Sequence, residues 1–312
     1  MAREFQNPAA GAAGPARVWR CRDRSLSLGP RALVMGILNV TADSFSDGGR
    51  FLDPDRAVAH GLALARAGAD LIDIGGESTR PGAQPVSVDE ELARVTPVVA
   101  GLHRALQEAA AAEPASFPQV PVLSIDTRKA VVARRALAAG ARVINDVSAL
   151  THDAEMVAVA REAAAGVVLM HMQGAPATMQ AHPRYADVVG EVRDYLQARV
   201  DALAGAGIDG ACLAVDPGIG FGKTLEHNLR LLAGLPTLRA CGLPIVVGVA
   251  RKSWLGAITG RAVEDRLAGS LAGMLYAVLR GADIVRVHDV REAVDAVRVL
   301  AALRQVEATW GC

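Results

Sequence analysis

The chain has 312 residues, enough for one large α/β domain or two smaller ones with a substantial core. Lys plus Arg equals Asp plus Glu at 33 each, which removes the general electrostatic case for nucleic-acid or membrane-surface binding. With hydrophobic residues at 51% and aromatics at only 4%, the core must be built from Ala, Val, Leu and Ile, a composition suited to helices packed on buried strands.

Taken in chain order, the Ala/Gly/Pro-rich start "MAREFQNPAAGAAGPA" has no apolar run of signal-peptide length and is expected to be disordered. "RVWRCRDRSLSLG" suits a short hairpin, and residues 1–30 are expected to form an extension ahead of the main domain. Eight β-branched runs follow, at 32–40, 70–76, 120–126, 142–147, 166–172, 212–218, 243–250 and 283–290. Stretches with helical periodicity alternate with them, for example 54–68, 88–111, 128–139, 186–205, 263–280 and 291–307.

Three joints, "ARAGADLIDI", "LAAGARVIND" and "LRGADIVRV", carry a glycine helix stop followed at once by a strand. Eight strand-helix units in about 270 residues predict an α/β fold of the (β/α)₈ barrel type over residues 31–307, with a tail at 308–312. A doubly wound sheet is the alternative, disfavoured by the absence of a dinucleotide fingerprint.

No segment reaches about 18 uninterrupted apolar residues, so no membrane span is expected. Cys21, Cys212, Cys241 and Cys312 form no C-x-x-C pair, which points to a reduced, cytoplasmic setting.

In such a barrel the chemistry gathers at the C-terminal ends of the strands. The exits carry Asn39; Asp73; Asp126 and Arg128; Asn145 and Asp146; His171; Asp216; Arg251 and Lys252; then Arg286, His288 and Asp289. Any one of these has a plain structural use: Asp126 could cap a helix, Asn145 could close a turn, and His171 could be a satisfied core histidine. Eight polar exits in register argue for a site. Two long loops, 41–51 and 75–87, are expected to act as lids.

The stretch "VDPGIGFGKT" (215–224) imitates a nucleotide loop. A phosphate loop would need glycine where Pro217 stands, and the dinucleotide form would need glycine at Lys223. Lys223 is therefore expected to be a helix-entry or rim charge.

Asp126, Asn145 and Asp216 offer acceptors and an amide that match a flat heterocycle with adjacent N–H donors. Arg286 could lie on such a ring and Lys252 could donate to it. Asn39, Arg80 and His288 supply donors for an anion, and oxygen ligands beside an anionic substrate suit Mg²⁺. These residues together suggest a heterocycle carrying phosphates.

The ordered set "MGILNVTADSFSDGG", "DIGGESTRPGA", "SIDTRK", "VINDVSA", "LMHMQG", "DPGIGFGKT", "RKSWLG" and "RVHDV" resembles the dihydropteroate synthase family of the folate pathway, from about residue 30 to 305. The resemblance implies that p-aminobenzoate displaces pyrophosphate from 6-hydroxymethyl-7,8-dihydropterin diphosphate. It assigns the pterin to Asp126, Asn145, Asp216 and Lys252, with Met170 and Arg286 on its faces. It assigns the diphosphate to Asn39 through Mg²⁺ and to Thr79, Arg80, Arg286 and His288. Phe45, Thr79, Pro81, Phe221 and Ser253 would lie near the aminobenzoate, and Asp126, Lys252 and Arg286 would be the catalytic groups. The family further implies sulfonamide inhibition and a homodimer formed through barrel helices.

Two departures stand out: Ala42 where the family's first loop has proline, and Ala250 where it has serine. They bear on the aminobenzoate side more than on the pterin or diphosphate set. A methyltetrahydrofolate-binding methyltransferase domain, which has little need of a diphosphate site, and a non-catalytic pterin-binding paralogue are the alternatives.

Overall fold

The computed structural model describes residues 17–41, 53–79, 82–176 and 178–310. The first two strands, β1 (Arg17–Cys21) and β2 (Arg24–Leu28), pair antiparallel through a two-residue turn, as the sequence led us to expect. Eight parallel strands follow: β3 (Leu33–Asn39), β4 (Leu71–Gly75), β5 (Val122–Asp126), β6 (Val143–Asp146), β7 (Gly166–Met170), β8 (Leu213–Asp216), β9 (Val246–Gly248) and β10 (Ile284–Val287). Their order is β8-β7-β6-β5-β4-β3-β10-β9. A single parallel bridge, Val215 with Ile245, joins the two ends and closes the barrel. Among the described residues this seam is its thinnest side.

Helices cover the outside, including Pro54–Arg66, Val88–Ala112, Ala130–Ala139, Val188–Gly205, Leu267–Leu279 and Val290–Trp310. Short sequence signals define them. Asp53 caps the first through Asp55 N and Arg56 N, and Pro54 sits at its first position, where no backbone donor is lost. At the three recurring α-to-β joints the glycines have positive φ: 96° at Gly68, 123° at Gly140 and 107° at Gly281. Only glycine adopts that conformation without strain, so each helix stops there and the chain reverses into its strand. The run expected as helix from 263 begins instead with a 3₁₀ turn, Val263–Asp265, and becomes α-helical at Leu267. The expected strand 243–250 shortens to Val246–Gly248 because the chain turns at Arg251, whose φ is 55°.

Side chains alternate along each strand, and this alternation sorts two cores. Val34, Leu38, Ile72, Ile74, Leu123, Ile125, Ile144 and Leu169 face outward against the helices. Leu33, Met35, Leu71, Val122, Val143, Val168, Ala214, Val246 and Ile284 face the axis and meet Trp19 and Cys21 of the hairpin. The hairpin is thus a plug across the N-terminal mouth. Trp19 is fully buried and its Nε1 donates to Cys212 O at 2.8 Å. Arg17 reaches Asp283 at 2.8 Å, and Asp283 also accepts from Ile245 N at 2.9 Å.

Candidate active site

Two residues further along most of the strands, the axis-facing position changes from apolar to polar, with the Met170 thioether an exception. Leu71 is followed by Asp73, Val122 by Ser124 and then Asp126, Val143 by Asn145, Val168 by Met170, Ala214 by Asp216 and Ile284 by Arg286. Strand register then sets these side chains beside one another: Asp126 pairs with Asn145, Met170 with Asp216, and Asp73 with Ser124. The polar mouth is a consequence of period-two geometry acting on parallel neighbours.

Arg286 is the hub. Its Nε donates to Asp73 Oδ2 at 2.7 Å and its Nη2 to Asp126 Oδ2 at 2.8 Å. Asn145 Nδ2 donates to the same Asp73 oxygen at 2.8 Å. Asp73 therefore orients two residues assigned to the pterin while being fully buried itself. One guanidinium shared by two carboxylates leaves an excess of negative charge, and burial raises the Asp126 carboxyl above its ordinary value. Arg286 opposes that rise and Asp73 adds to it.

The far wall is built on the loop after β8. Asp216 Oδ1 accepts from Gly218 N at 2.7 Å; burial raises its carboxyl, while Lys252 is the main opposing influence. Burial lowers the Lys252 ammonium to about 8, with Asp216 resisting. Lys252 Nζ lies 4.6 Å from the Phe221 ring centre and donates to Ile219 O. Such a cation on an aromatic face fixes both partners. Asp216, Lys252, Phe221 and Met170 are thus brought to one wall, with Met170 buried beside Asp216.

The remaining assigned residues lie on the rim. Asn39 ends β3 in register with Gly75 and is half-buried, as are Thr79 and His288. Ser253 is exposed and opens the helix Ser253–Thr259, for which Lys252 is the cap residue. Phe45, Arg80 and Pro81 lie outside the described residues, as do Ala42 and most of the first loop.

Several strand exits have structural duties. Asp146 accepts from Ser148 N, Ser148 Oγ and Leu150 N, holding a turn in which Ala149 and Leu150 have positive φ. Asp289 is held by Arg251, with Nε to Oδ2 at 3.0 Å. Arg128 pairs with Glu77 at 3.4 Å, beside Lys129, which binds Glu77, Glu91 and Val86 O. That buried cluster ties both ends of the segment 77–86 to the exit of β5.

His171 is buried, its ring meets Tyr195 edge-on at 4.9 Å, and burial lowers it to about 3, so it is a neutral core histidine. Lys223, expected at the rim, is instead only 3% exposed. Its four-carbon stem carries the ammonium to His171 Nδ1 at 3.0 Å, Phe221 O at 2.9 Å and His171 O at 3.3 Å. Sequence alone shows that a lysine follows a glycine turn; it does not show that the turn folds back over it. Asp73 and Asn228, which accepts from Gly220 N at 2.7 Å, were likewise not assigned site roles from sequence. A lone carboxylate on a strand carries no sign of its partners.

At the opposite end, a surface hollow of about 530 Å³ is lined by Arg22, Asp23, His103 and Arg142. Its guanidiniums are already engaged: Arg142 by Asp23, and Arg22 by Leu137 O and Ala141 O.

Comparison with known proteins agrees with this geometry. The family model described as "Pterin binding enzyme" matches residues 35–288. A dihydropteroate synthase of Neisseria meningitidis serogroup B is 47% identical over 92% of this chain and 97% of its own. That of Escherichia coli is 46% identical over 86% and 90%. Among solved structures, the Xanthomonas albilineans dihydropteroate synthase with 4-aminobenzoic acid superposes with a TM-score of 0.83, at 47% identity over 93% of this chain and 99% of that one. The Burkholderia cenocepacia enzyme complexed with 7,8-dihydropteroate gives 0.82 at 44% identity over 94% and 99%. With its strand exits converging on one polar mouth and relatives of this identity along nearly its whole length, the chain belongs to the dihydropteroate synthases of the pterin binding enzyme family.

Proposed function

We propose that this mouth condenses 6-hydroxymethyl-7,8-dihydropterin diphosphate with p-aminobenzoate, releasing 7,8-dihydropteroate and pyrophosphate. The observation that carries the reading is the buried Asp73–Arg286–Asp126 arrangement with Asn145 on one wall, facing Asp216 and Lys252 on the other. Carboxylate and amide oxygens there accept from the N–H edge of the pterin, while Lys252 donates to it. The arylamine nitrogen forms the new bond to the exocyclic methylene carbon as the carbon–oxygen bond to the diphosphate breaks. The pyrophosphate takes the electron pair, and the amine loses a proton.

No side-chain nucleophile is required, so the protein acts by positioning and electrostatics. Asp126 stabilises positive charge developing at the methylene, Arg286 holds that carboxylate in place, and Phe221 with Thr79 and Ser253 flanks the arylamine. His288 serves the diphosphate in this reading, a role the family resemblance also gives to Arg80, which lies outside the described residues.

Among the described residues no three His, Cys, Asp or Glu side chains gather as a metal group. The oxygen donors of the diphosphate and the Asn39 amide oxygen would suit a Mg²⁺ carried in with the substrate, and the ion would neutralise charge on the departing pyrophosphate. The exposed apolar side chains of Tyr276, Leu279, Val299 and Leu303, on the two adjoining helices Leu267–Leu279 and Val290–Trp310, support a homodimer. No helix among the described residues is long and apolar enough to cross a membrane. The free thiols of Cys21, Cys212 and Cys241 support a reducing, cytoplasmic setting. Sulfonamides, as arylamine mimics, would compete at the Phe221 wall.

The test is aminobenzoate-dependent pyrophosphate release by the purified protein with Mg²⁺. Release that follows added aminobenzoate supports the condensation. A protein that binds pterin but releases nothing at saturating substrates is a non-catalytic paralogue, and one that instead binds methyltetrahydrofolate selectively is a methyltransferase module.

A further inference from the structure

We infer that Lys223 is a positioning residue for the arylamine wall: its ammonium pins the loop after β8 against the exit of β7 and so sets where Phe221 stands. The inference rests on the condensation reading and adds to it a residue that touches neither substrate.

Three observations carry it. The first is the closeness of the two segments. A Cβ on Gly218 would come within 1.9 Å of His171 O, and one on Gly222 within 2.6 Å of Gln173 O, both at positive φ. The loop is thus laid directly on residues 171–173, at a distance that only glycine permits.

The second is the way the lysine joins them. Lys223 Nζ donates to Phe221 O at 2.9 Å on the loop and to His171 O at 3.3 Å beneath it, and meets His171 Nδ1 at 3.0 Å. A buried ammonium needs acceptors, and these three are what the site provides. His171 can serve because it is neutral, so Nδ1 is free to accept while Nε2 carries the proton. Burial lowers Lys223 to about 7, which agrees with a group taken fully out of water.

The third is what the loop presents on its other side. Ile219 O receives Lys252 Nζ, and the Phe221 ring lies 4.6 Å from the same ammonium. Gln180 Nε2 donates to Gly220 O at 2.6 Å and Tyr185 Oη to Gly222 O at 2.9 Å, so side chains beyond β7 hold the same turn. Lys223 is the buried charged member of this set. Its removal leaves Phe221 O and His171 Nδ1 without their donor.

The test compares wild type with Lys223→Met, which keeps the stem and removes the donor. KM for p-aminobenzoate and KM for the pterin diphosphate are measured separately, together with amide hydrogen exchange across 218–222. The expected result is an aminobenzoate KM raised about tenfold or more, a pterin diphosphate KM within about twofold, and exchange in the loop at least about tenfold faster. Equal rises in both KM values would show general loosening and overturn the inference; unchanged KM values and unchanged exchange would overturn it too. If Lys223→Met does not fold, His171→Phe removes the Nδ1 acceptor and keeps a ring in place, and a smaller shift of the same pattern is expected. No selective shift in that variant overturns the inference. Absence of pyrophosphate release by wild type would reject the condensation reading instead, and the exchange rates would still decide whether Lys223 pins the loop.

Discussion

The two mouths of this barrel are made by the same strands and are chemically opposite. At the N-terminal mouth, Leu71, Val122, Val143, Val168, Ala214 and Ile284 turn inward and are sealed by Trp19 and Cys21. Two to four residues later the same strands turn Asp73, Asp126, Asn145, Met170, Asp216 and Arg286 to the same axis. One end spends its burial on apolar contact, which is favourable at about 25 cal/mol per Å². The other buries charges, which is costly unless they are paired. The difference teaches that stability and chemistry in this chain are separated by only two to four residues along the strand.

The contrast can be broken from either side. Trp19→Ala should remove the plug, costing about 3–5 kcal/mol in chemical denaturation, while kcat of the folded fraction stays within about twofold. A comparable loss of kcat would show that the two mouths are coupled. Asp126→Asn should do the reverse. We expect kcat to fall about 100- to 1000-fold, the range seen when one transition-state electrostatic partner is lost, with little change in the thermal midpoint. Parallel losses of midpoint and activity would make Asp126 a structural residue.

A smaller effect concerns pH. The folded-state value of Lys223 lies at about 7, below its ordinary 10.5. Between those values the unfolded chain binds more protons than the folded one, so this group makes stability rise with pH across that window. Lys252, lowered to about 8, acts in the same direction. The midpoint of wild type relative to Lys223→Met should therefore climb from pH 7 to pH 10; a flat difference would mean that Lys223 stays charged throughout. The smallest effect is expected at the rim of the plug. Arg17→Ala should cost no more than about 1 kcal/mol, since Arg17 is 39% exposed in its pair with Asp283.

Much of this organisation was readable in the chain. The eight strands, the three glycine joints and the N-terminal hairpin all follow local rules that act within about ten residues. The polar exits were also visible, and six of them, Asp73, Asp126, Asn145, Asp216, Lys252 and Arg286, do meet at one mouth. Asp146, Asp289, Arg128 and His171 looked equivalent on paper and are not. Their partners, Ser148 and Leu150, Arg251, Glu77, and Lys223, determine the use of each, and most of these lie far away in sequence.

What the amino-acid order determined by itself was periodicity, helix ends and which residue types stand at each strand exit, because these depend on nearest neighbours along the chain. Only the tertiary structure decided that Asp73 would orient both Arg286 and Asn145, that one bridge between Val215 and Ile245 would close the barrel, and that Lys223 would be buried under its own loop. Each of those outcomes depends on the distance between segments tens to hundreds of residues apart, and parallel register, rather than local propensity, sets that distance.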